Sequence, residues 1–86
     1  MIAIPCHLRS VVDHDGAVIL DINNDQFFSL NSIGAYIWER LKSGETPEQI
    51  ATALASDTDS DISVISADVA DFMEDLKGKH LIEVRS

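Results

Sequence analysis

The stretch from residue 21 to residue 38, DINNDQFFSLNSIGAYIW, carries the clearest structural pattern in this chain. Its first part places the polar residues Asn23-Asn24-Asp25 before the alternating, aromatic run at residues 26–30. Asn and Asp tolerate the positive φ angles of tight turns, whereas aromatic residues favour strands. The first part therefore predicts a turn followed by a β-strand.

The second part of the stretch predicts a helix that follows this strand without a loop. Asn31 or Ser32 can cap the helix by accepting a hydrogen bond from a free backbone N–H. Apolar residues then recur at helical spacing until Gly44 ends the pattern: Ile33, Ile37 and Leu41, with Trp38 beside them.

Two β-branched, aliphatic runs precede the stretch, at residues 8–13 and 17–22. They are separated by His14-Asp15-Gly16, and Asp-Gly is a strong signal for a tight hairpin. Together with residues 26–30, these runs predict a three-stranded antiparallel β-meander.

Two further helices are predicted after Gly44. Thr46-Pro47-Glu48-Gln49 combines a capping residue, a proline suited to the first helical position and a partner for a capping box. A polar, acidic connection at residues 56–61 precedes a third helix, expected from about Val64 to Lys77 with Gly78 as its stop. Residues 81–84 are expected to fold back as a short extended segment. The predicted fold class is therefore α+β and winged helix-turn-helix-like, with the β-meander followed by three α-helices.

The chain has 86 residues, one cysteine and a formal net charge of −9. This length supports one hydrophobic core, so residues 1–86 are expected to form a single domain. The lone Cys6 cannot form an internal disulfide, and no segment resembles a membrane span or a signal peptide. We therefore expect a cytoplasmic protein without a membrane partner.

The acidic charge argues against a nucleic-acid partner. In many winged-helix proteins the last helix reads DNA, but here its polar positions are mostly acidic: Asp68, Asp71, Glu74 and Asp75. Only Lys77 is basic within the helix, so contacts with phosphates would be repulsive. We expect no binding to DNA or RNA.

No catalytic residues are expected. The histidines His7, His14 and His80 lack the spacing of metal ligands, and Cys6 has no third group to orient it as a nucleophile. We therefore expect a protein that is not an enzyme and that carries no cofactor.

Residues 57–61, DTDSD, imitate the beginning of a calcium-binding loop. Ile62 stands where such a loop needs glycine, and Asp68 stands where it needs the longer glutamate. The expected alternative is a solvated acidic loop whose last Asp, or Ser63, caps the third helix. No metal site is therefore predicted.

The last strand of the meander offers a free edge. Such a strand has one neighbour, so N–H and C=O groups along its other side are unpaired and can accept a peptide as an additional strand. Phe28 and Leu30 share the face expected to meet the helices, which leaves Phe27 on the other face. The N-terminal residues 2–4 could cover Phe27. Met73 lies at the margin of the apolar stripe on the third helix, formed by Ile65, Val69, Phe72 and Leu76.

The order of these motifs resembles that of the PqqD-like peptide recognition elements. The positions that carry the resemblance are Leu20-Asp21, Phe27-Phe28, Leu30-Asn31, Gly34 and Ile37-Trp38. Proteins of this family bind the leader segment of a ribosomally made precursor peptide as an extra strand and deliver it to modifying enzymes. The resemblance implies a peptide-binding site formed by Asp25, Gln26, Phe27, Phe28, Ser29, Leu30, Ile65, Asp68, Val69, Phe72, Met73 and Leu76. From charge alone, lysines of the leader are expected near Asp68, Asp71 and Asp75.

Within the family, the chain looks most like the leader-binding protein of lasso-peptide clusters, which works beside a cysteine leader peptidase and an ATP-dependent cyclase. The resemblance then implies a leader with a Tyr-x-x-Pro segment whose ring and proline occupy the apolar groove. Two alternatives stay open. One is the PqqD role of presenting a precursor to a radical enzyme, and the other is a generic acidic winged-helix module that contacts another protein.

Overall fold

The computed structural model describes residues 2–84, in which the chain forms five strands and three helices. The strands are β1 (Ile2–Ala3), β2 (Leu8–Asp13), β3 (Gly16–Asp21), β4 (Gln26–Asn31) and β5 (Glu83–Val84). The helices are α1 (Ser32–Lys42), α2 (Pro47–Thr58) and α3 (Ile62–Gly78). Strands β2, β3 and β4 pair antiparallel in that order, while β1 and β5 form a separate two-stranded ladder. The predicted α+β class, with a meander followed by three helices, is confirmed.

The first hairpin turn is held by a side chain at its start and a glycine at its end. Asp13 Oδ1 accepts hydrogen bonds from the backbone N–H groups of Asp15 at 2.8 Å and Gly16 at 3.1 Å. Gly16 has a φ of +154°, and a Cβ there would lie 2.1 Å from the carbonyl oxygen of Leu30. Because the backbone of β4 lies this close, only glycine fits at position 16, the first residue of β3.

The second turn of the meander is organised by Asp21, whose carboxylate accepts from both the backbone and the side chain of Asn24. Asp25 takes the left-handed conformation with a φ of +54°, as the polar composition of the turn predicts. This turn sets the point at which β4 begins.

The first two helices begin at the capping residues that the sequence suggests. Asn31 Oδ1 accepts from the N–H of Gly34 at 2.8 Å, so Asn31 is the cap and Ser32 is the first helical residue. Thr46 and Gln49 form the predicted capping box, with reciprocal hydrogen bonds of 3.2 Å and 2.8 Å.

The loop between the second and third helices is shorter than predicted. Helix α2 continues to Thr58, and α3 begins at Ile62, about two residues before the expected start. Asp59 closes α2 in the left-handed conformation, with a φ of +52°, and Asp61 caps α3 by accepting from the N–H of Ser63. Of the two residues that the sequence suggests as the cap of α3, Asp61 and Ser63, the structure uses Asp61.

The core lies between the inner face of the meander and the helices. Helix α1 packs across β3 and β4, and α3 packs on α2. The largest fully buried side chains are Trp38, Ile19, Ile50, Leu76, Leu81 and Val69. The expected return of the C-terminal segment is confirmed by β5, which pairs with β1 and follows the buried residues Leu81 and Ile82. No helix within residues 2–84 is both long enough and apolar enough to cross a membrane.

Candidate functional site

The outer edge of β4 is the first component of the candidate site. Within residues 2–84, β4 pairs with β3 alone, so alternate N–H and C=O groups along its other side have no strand partner. Gln26, Phe27 and Ser29 are exposed along this strand. The edge is therefore available for the main-chain hydrogen bonds of an additional strand.

The two faces of β4 differ in burial. Phe28 and Leu30 point toward the helices, where they are half-buried against the core. Phe27 points the other way and is 69% exposed, opposite Leu20 on β3. Residues 2–4 do not cover Phe27, since Ile2 and Ile4 pack against the core cluster instead. An apolar side chain of this size in water is available to a ligand.

Helix α3 contributes the second component. Ile65, Phe72 and Met73 are half-buried and expose part of their surface beside the core. Val69 and Leu76 are only 1% and 0% exposed. These two predicted site residues therefore belong to the hydrophobic core, and their part in ligand binding stays a prediction.

An apolar cavity of about 290 Å³ lies where the start of α1, the end of α2 and α3 meet. Its apolar wall is formed by Ile33, Gly34, Ile37, Leu54, Ile65 and Phe72. Its polar rim is formed by Asn31, Thr58, Ser60 and Asp68. Because Asn31 ends β4, the cavity opens beside the end of the free edge.

Gly34 brings the strand edge and the α3 side of this cavity together. A Cβ on Gly34 would lie 3.2 Å from both Leu30 Cβ and Phe72 Cε1. Glycine therefore allows the first turn of α1 to approach β4 and α3 more closely than any other residue would. Gly34 is one of the positions that carry the family resemblance, but no sequence pattern placed it in the site.

The charges around the site are mostly acidic, but they are not equivalent. Asp25 and Asp68 are exposed, at the two ends of the site. Asp75 forms an ion pair with Lys79, with 2.9 Å between Oδ2 and Nζ. The same Lys79 ammonium lies 5.8 Å from the ring centroid of Phe28. Asp75, which was expected to attract a ligand lysine, is thus already engaged within the chain.

Asp21 is the last residue of β3 and pairs with Gln26 at the start of β4. It is a buried charged residue, with 4% of its surface exposed. The side-chain amide of Asn24 donates to it at 2.8 Å, and His7 Nε2 lies 3.4 Å away. The hydrogen bond from Asn24 is the main cause that lowers the pKa of the Asp21 carboxyl group below its ordinary value of 3.8. The ionised carboxylate therefore stabilises the turn that positions the free edge.

Among residues 2–84, no three His, Cys, Asp or Glu side chains are placed so that they could hold a metal ion. Asp57, the first residue of the calcium-like segment, lies in α2 and accepts a hydrogen bond from the Tyr36 hydroxyl at 2.8 Å.

Comparisons with known proteins agree with this geometry. Residues 16–82 match the family model of PqqD, the coenzyme PQQ synthesis protein D. The structure of TbiB1 in complex with the TbiA(beta) leader peptide is similar, with a TM-score of 0.89, 29% sequence identity and 96% of each chain covered. A lasso peptide synthetase B1 complexed with the leader peptide has the same fold, with a TM-score of 0.87 and 23% identity over 96% of this chain and 98% of that chain. No curated protein sequence matches the chain. Since the family model covers most of its length, this chain belongs to the PqqD family.

Proposed function

We propose that this chain is a non-catalytic, cytoplasmic adaptor that binds the leader segment of a ribosomally made precursor peptide of the lasso type. One observation carries the proposal. A structure similar over 96% of both chains, at 29% identity, is that of a protein in complex with a leader peptide. The free edge of β4 beside an apolar cavity supports the same mode of binding.

The leader adds a strand antiparallel to β4. Main-chain hydrogen bonds supply affinity that depends little on sequence, and alternate side chains of the leader turn toward the groove formed by Phe28, Leu30, Ile65, Phe72 and Met73. The other side chains lie on the face that carries Phe27 and Ser29. Asp25 and Gln26 lie at one end of the contact and Asp68 at the other.

The cavity beside Phe72 gives the site its selectivity. Complete ligand pockets usually enclose about 300 to 1,000 Å³, so a cavity of about 290 Å³ suits one or two side chains. Its wall is apolar, and Asn31 and Asp68 at the rim can pair with a hydroxyl group. A tyrosine and a proline, as in a Tyr-x-x-Pro segment, combine apolar rings with one hydroxyl group and therefore match this wall and rim.

The acidic charge favours a leader with basic residues. Asp68 and Asp71 lie exposed on α3, on a chain whose formal net charge is −9. Such charges speed association with a basic peptide and lose their effect at high salt. An affinity that stays unchanged in high salt would contradict this assignment.

The bound leader is then presented to a cysteine leader peptidase and an ATP-dependent cyclase, which supply the chemistry that the adaptor lacks. A second candidate is presentation of a precursor to a radical enzyme, which the match to the PQQ synthesis family favours. Both candidates use the same edge and groove, and they differ in the peptide and in the enzyme that receives it.

The test is fluorescence anisotropy of labelled leader peptides from any short open reading frame found near this gene, titrated with the protein. We expect saturable binding with a Kd of about 1 μM or below, lost with a scrambled leader. Phe27→Ala should weaken binding while the melting temperature stays near that of the unchanged protein. Met73→Ala should weaken binding with a modest fall in the melting temperature, because Met73 packs partly against the core. Val64→Ala is the matched control, because Val64 is 57% exposed on α3 and does not line the cavity.

The identity of the peptide separates the candidates. Binding of a lasso-type leader supports the first, and binding of only a precursor for a radical enzyme supports the second. If no leader encoded near the gene binds, both are wrong, and the chain is a generic protein-interaction module with the fold of the family.

A further inference from the structure

Strand β2 is the second open edge of the meander. In residues 2–84 it pairs with β3 alone, and no other strand lies along its outer side. Its side chains on the outer face of the sheet are Arg9, Val11 and Asp13, all of them exposed. This edge lies on the opposite side of the sheet from β4 and has no part in the proposed leader site.

The hairpin turn determines which main-chain groups of β2 point outward. Asp13 pairs with Gly16 across a two-residue turn, so these two residues exchange hydrogen bonds. By alternation, the main-chain groups of Arg9, Val11 and Asp13 face β3. Those of Ser10 and Val12 face away from the sheet and are free to pair with another strand.

A second copy of β2 satisfies these groups in a specific register. When two copies pair antiparallel about a two-fold axis at Val11, Ser10 of each copy lies opposite Val12 of the other. Each such pair can exchange both of its main-chain hydrogen bonds. A shift by one residue would place outward-facing groups opposite groups already bonded to β3, so only shifts by even numbers are compatible.

The side chains are complementary in the same register. Arg9 of one copy lies opposite Asp13 of the other, twice per pair, and Val11 lies opposite Val11. In a single chain the Arg9 guanidinium reaches only the backbone carbonyl oxygens of Cys6 and Leu8, and Asp13 Oδ2 has no hydrogen bond within residues 2–84. Cross-strand pairs of opposite charge stabilise a sheet, and the other even shifts lose both of them.

We propose that two copies of this chain pair through β2, antiparallel about a two-fold axis at Val11, to form a six-stranded sheet. The dimer leaves β4 of each copy free at the two ends of the sheet, so the proposal does not depend on leader binding. The contact is short, and both copies are acidic, so the dimer is weak and depends on protein concentration.

The pairing can be trapped by a disulfide. In this register the two Val11 residues form a non-hydrogen-bonded pair, whose Cα atoms lie about 4.5 Å apart, within the range of about 4.4–6.8 Å for disulfides. In a Cys6→Ser background, Val11→Cys should shift on mild oxidation from 9.4 kDa to twice that mass on a non-reducing gel. Val64→Cys is the control for an exposed valine, since Val11 and Val64 are 68% and 57% exposed.

Charge variants test the register. Arg9→Asp should abolish the rapid cross-linking of Val11→Cys, because it places Asp opposite Asp13, whereas Arg9→Lys should retain it. Without any introduced cysteine, sedimentation velocity should show association at high concentration that is lost with Arg9→Asp. The proposal is wrong if Val11→Cys cross-links no faster than Val64→Cys, or if Arg9→Asp leaves the cross-linking unchanged.

Discussion

Gly34 and Phe72 approach each other so closely that a Cβ on Gly34 would lie 3.2 Å from Phe72 Cε1. This contact joins the first turn of α1 to the middle of α3 at the wall of the apolar cavity. Gly34→Ala should therefore displace the Phe72 ring and narrow the cavity. The gain in helix propensity, about 1 kcal/mol, offsets part of the cost to the fold.

We expect Gly34→Ala to weaken leader binding by roughly tenfold, or about 1.4 kcal/mol, with a smaller change in stability. Anisotropy titrations and thermal melts would measure the two effects. Gly78→Ala is the matched control, because Gly78 is also helical and has nothing within 4 Å of its Cβ position. If Gly34→Ala and Gly78→Ala bind the leader with equal affinity, the cavity is not part of the binding site.

The lowered pKa of Asp21 predicts how the free energy of unfolding depends on pH. Because the pKa of its carboxyl group is lower in the folded chain than its ordinary value of 3.8, ionised Asp21 stabilises the fold above that value. This contribution is lost as the pH falls through the lowered pKa. Asp21→Asn should therefore be less stable than the unchanged protein at pH 7, and the difference should shrink in acid. Urea unfolding at several pH values measures it, with Asp71→Asn as the control for losing one exposed charge.

Trp38 is buried to 1% exposure, and its Nε1 has no hydrogen-bond partner within residues 2–84. A buried donor without a partner costs about 1–3 kcal/mol. Trp38→Phe removes that donor together with some buried area, so its two effects partly cancel. We expect a loss of under about 2 kcal/mol in urea unfolding, whereas Trp38→Ala should lose about 3–5 kcal/mol. If both variants unfold equally easily, the indole N–H has a partner in solution.

The capping box at the start of α2 provides a test that is independent of the site. Thr46→Ala removes the hydroxyl that accepts from the N–H of Gln49, which should cost about 1 kcal/mol. Thr52 lies in the same helix, and its hydroxyl donates to the carbonyl oxygen of Glu48. Thr52→Ala should be neutral or stabilising, because alanine is the better helix former. Thermal melts should thus show a lower melting temperature for Thr46→Ala and an unchanged or higher one for Thr52→Ala.

Local patterns predicted the elements and most of their ends, since turns and caps depend on residues only a few positions apart. The Asp15-Gly16 hairpin, the Asn31 cap and the Thr46–Gln49 capping box are examples. The start of α3 was predicted about two residues late, because Asp61 and Ser63 are both suited in sequence to cap the helix. Which of these two residues becomes the cap depends on how α2 ends at Asp59.

The site was predicted less completely. The alternation along β4 correctly indicated that Phe28 and Leu30 face the helices, and Phe27 is indeed exposed. The spacing along α3 could not separate Val69 and Leu76, which are fully buried, from Phe72 and Met73 at the margin. Helical periodicity identifies the apolar face of a helix, but the depth of each residue depends on the neighbouring elements. Their part in peptide binding stays a prediction.

Local propensity, capping and motif order are properties of the sequence, and they were sufficient to predict the α+β class, the order of strands and helices and the PqqD family. The place of the cavity and the depth of each site residue followed only from the three-dimensional packing. This packing also placed Gly34 against Phe72. These features depend on contacts between residues far apart in the chain, and their distances are set by packing of the whole core.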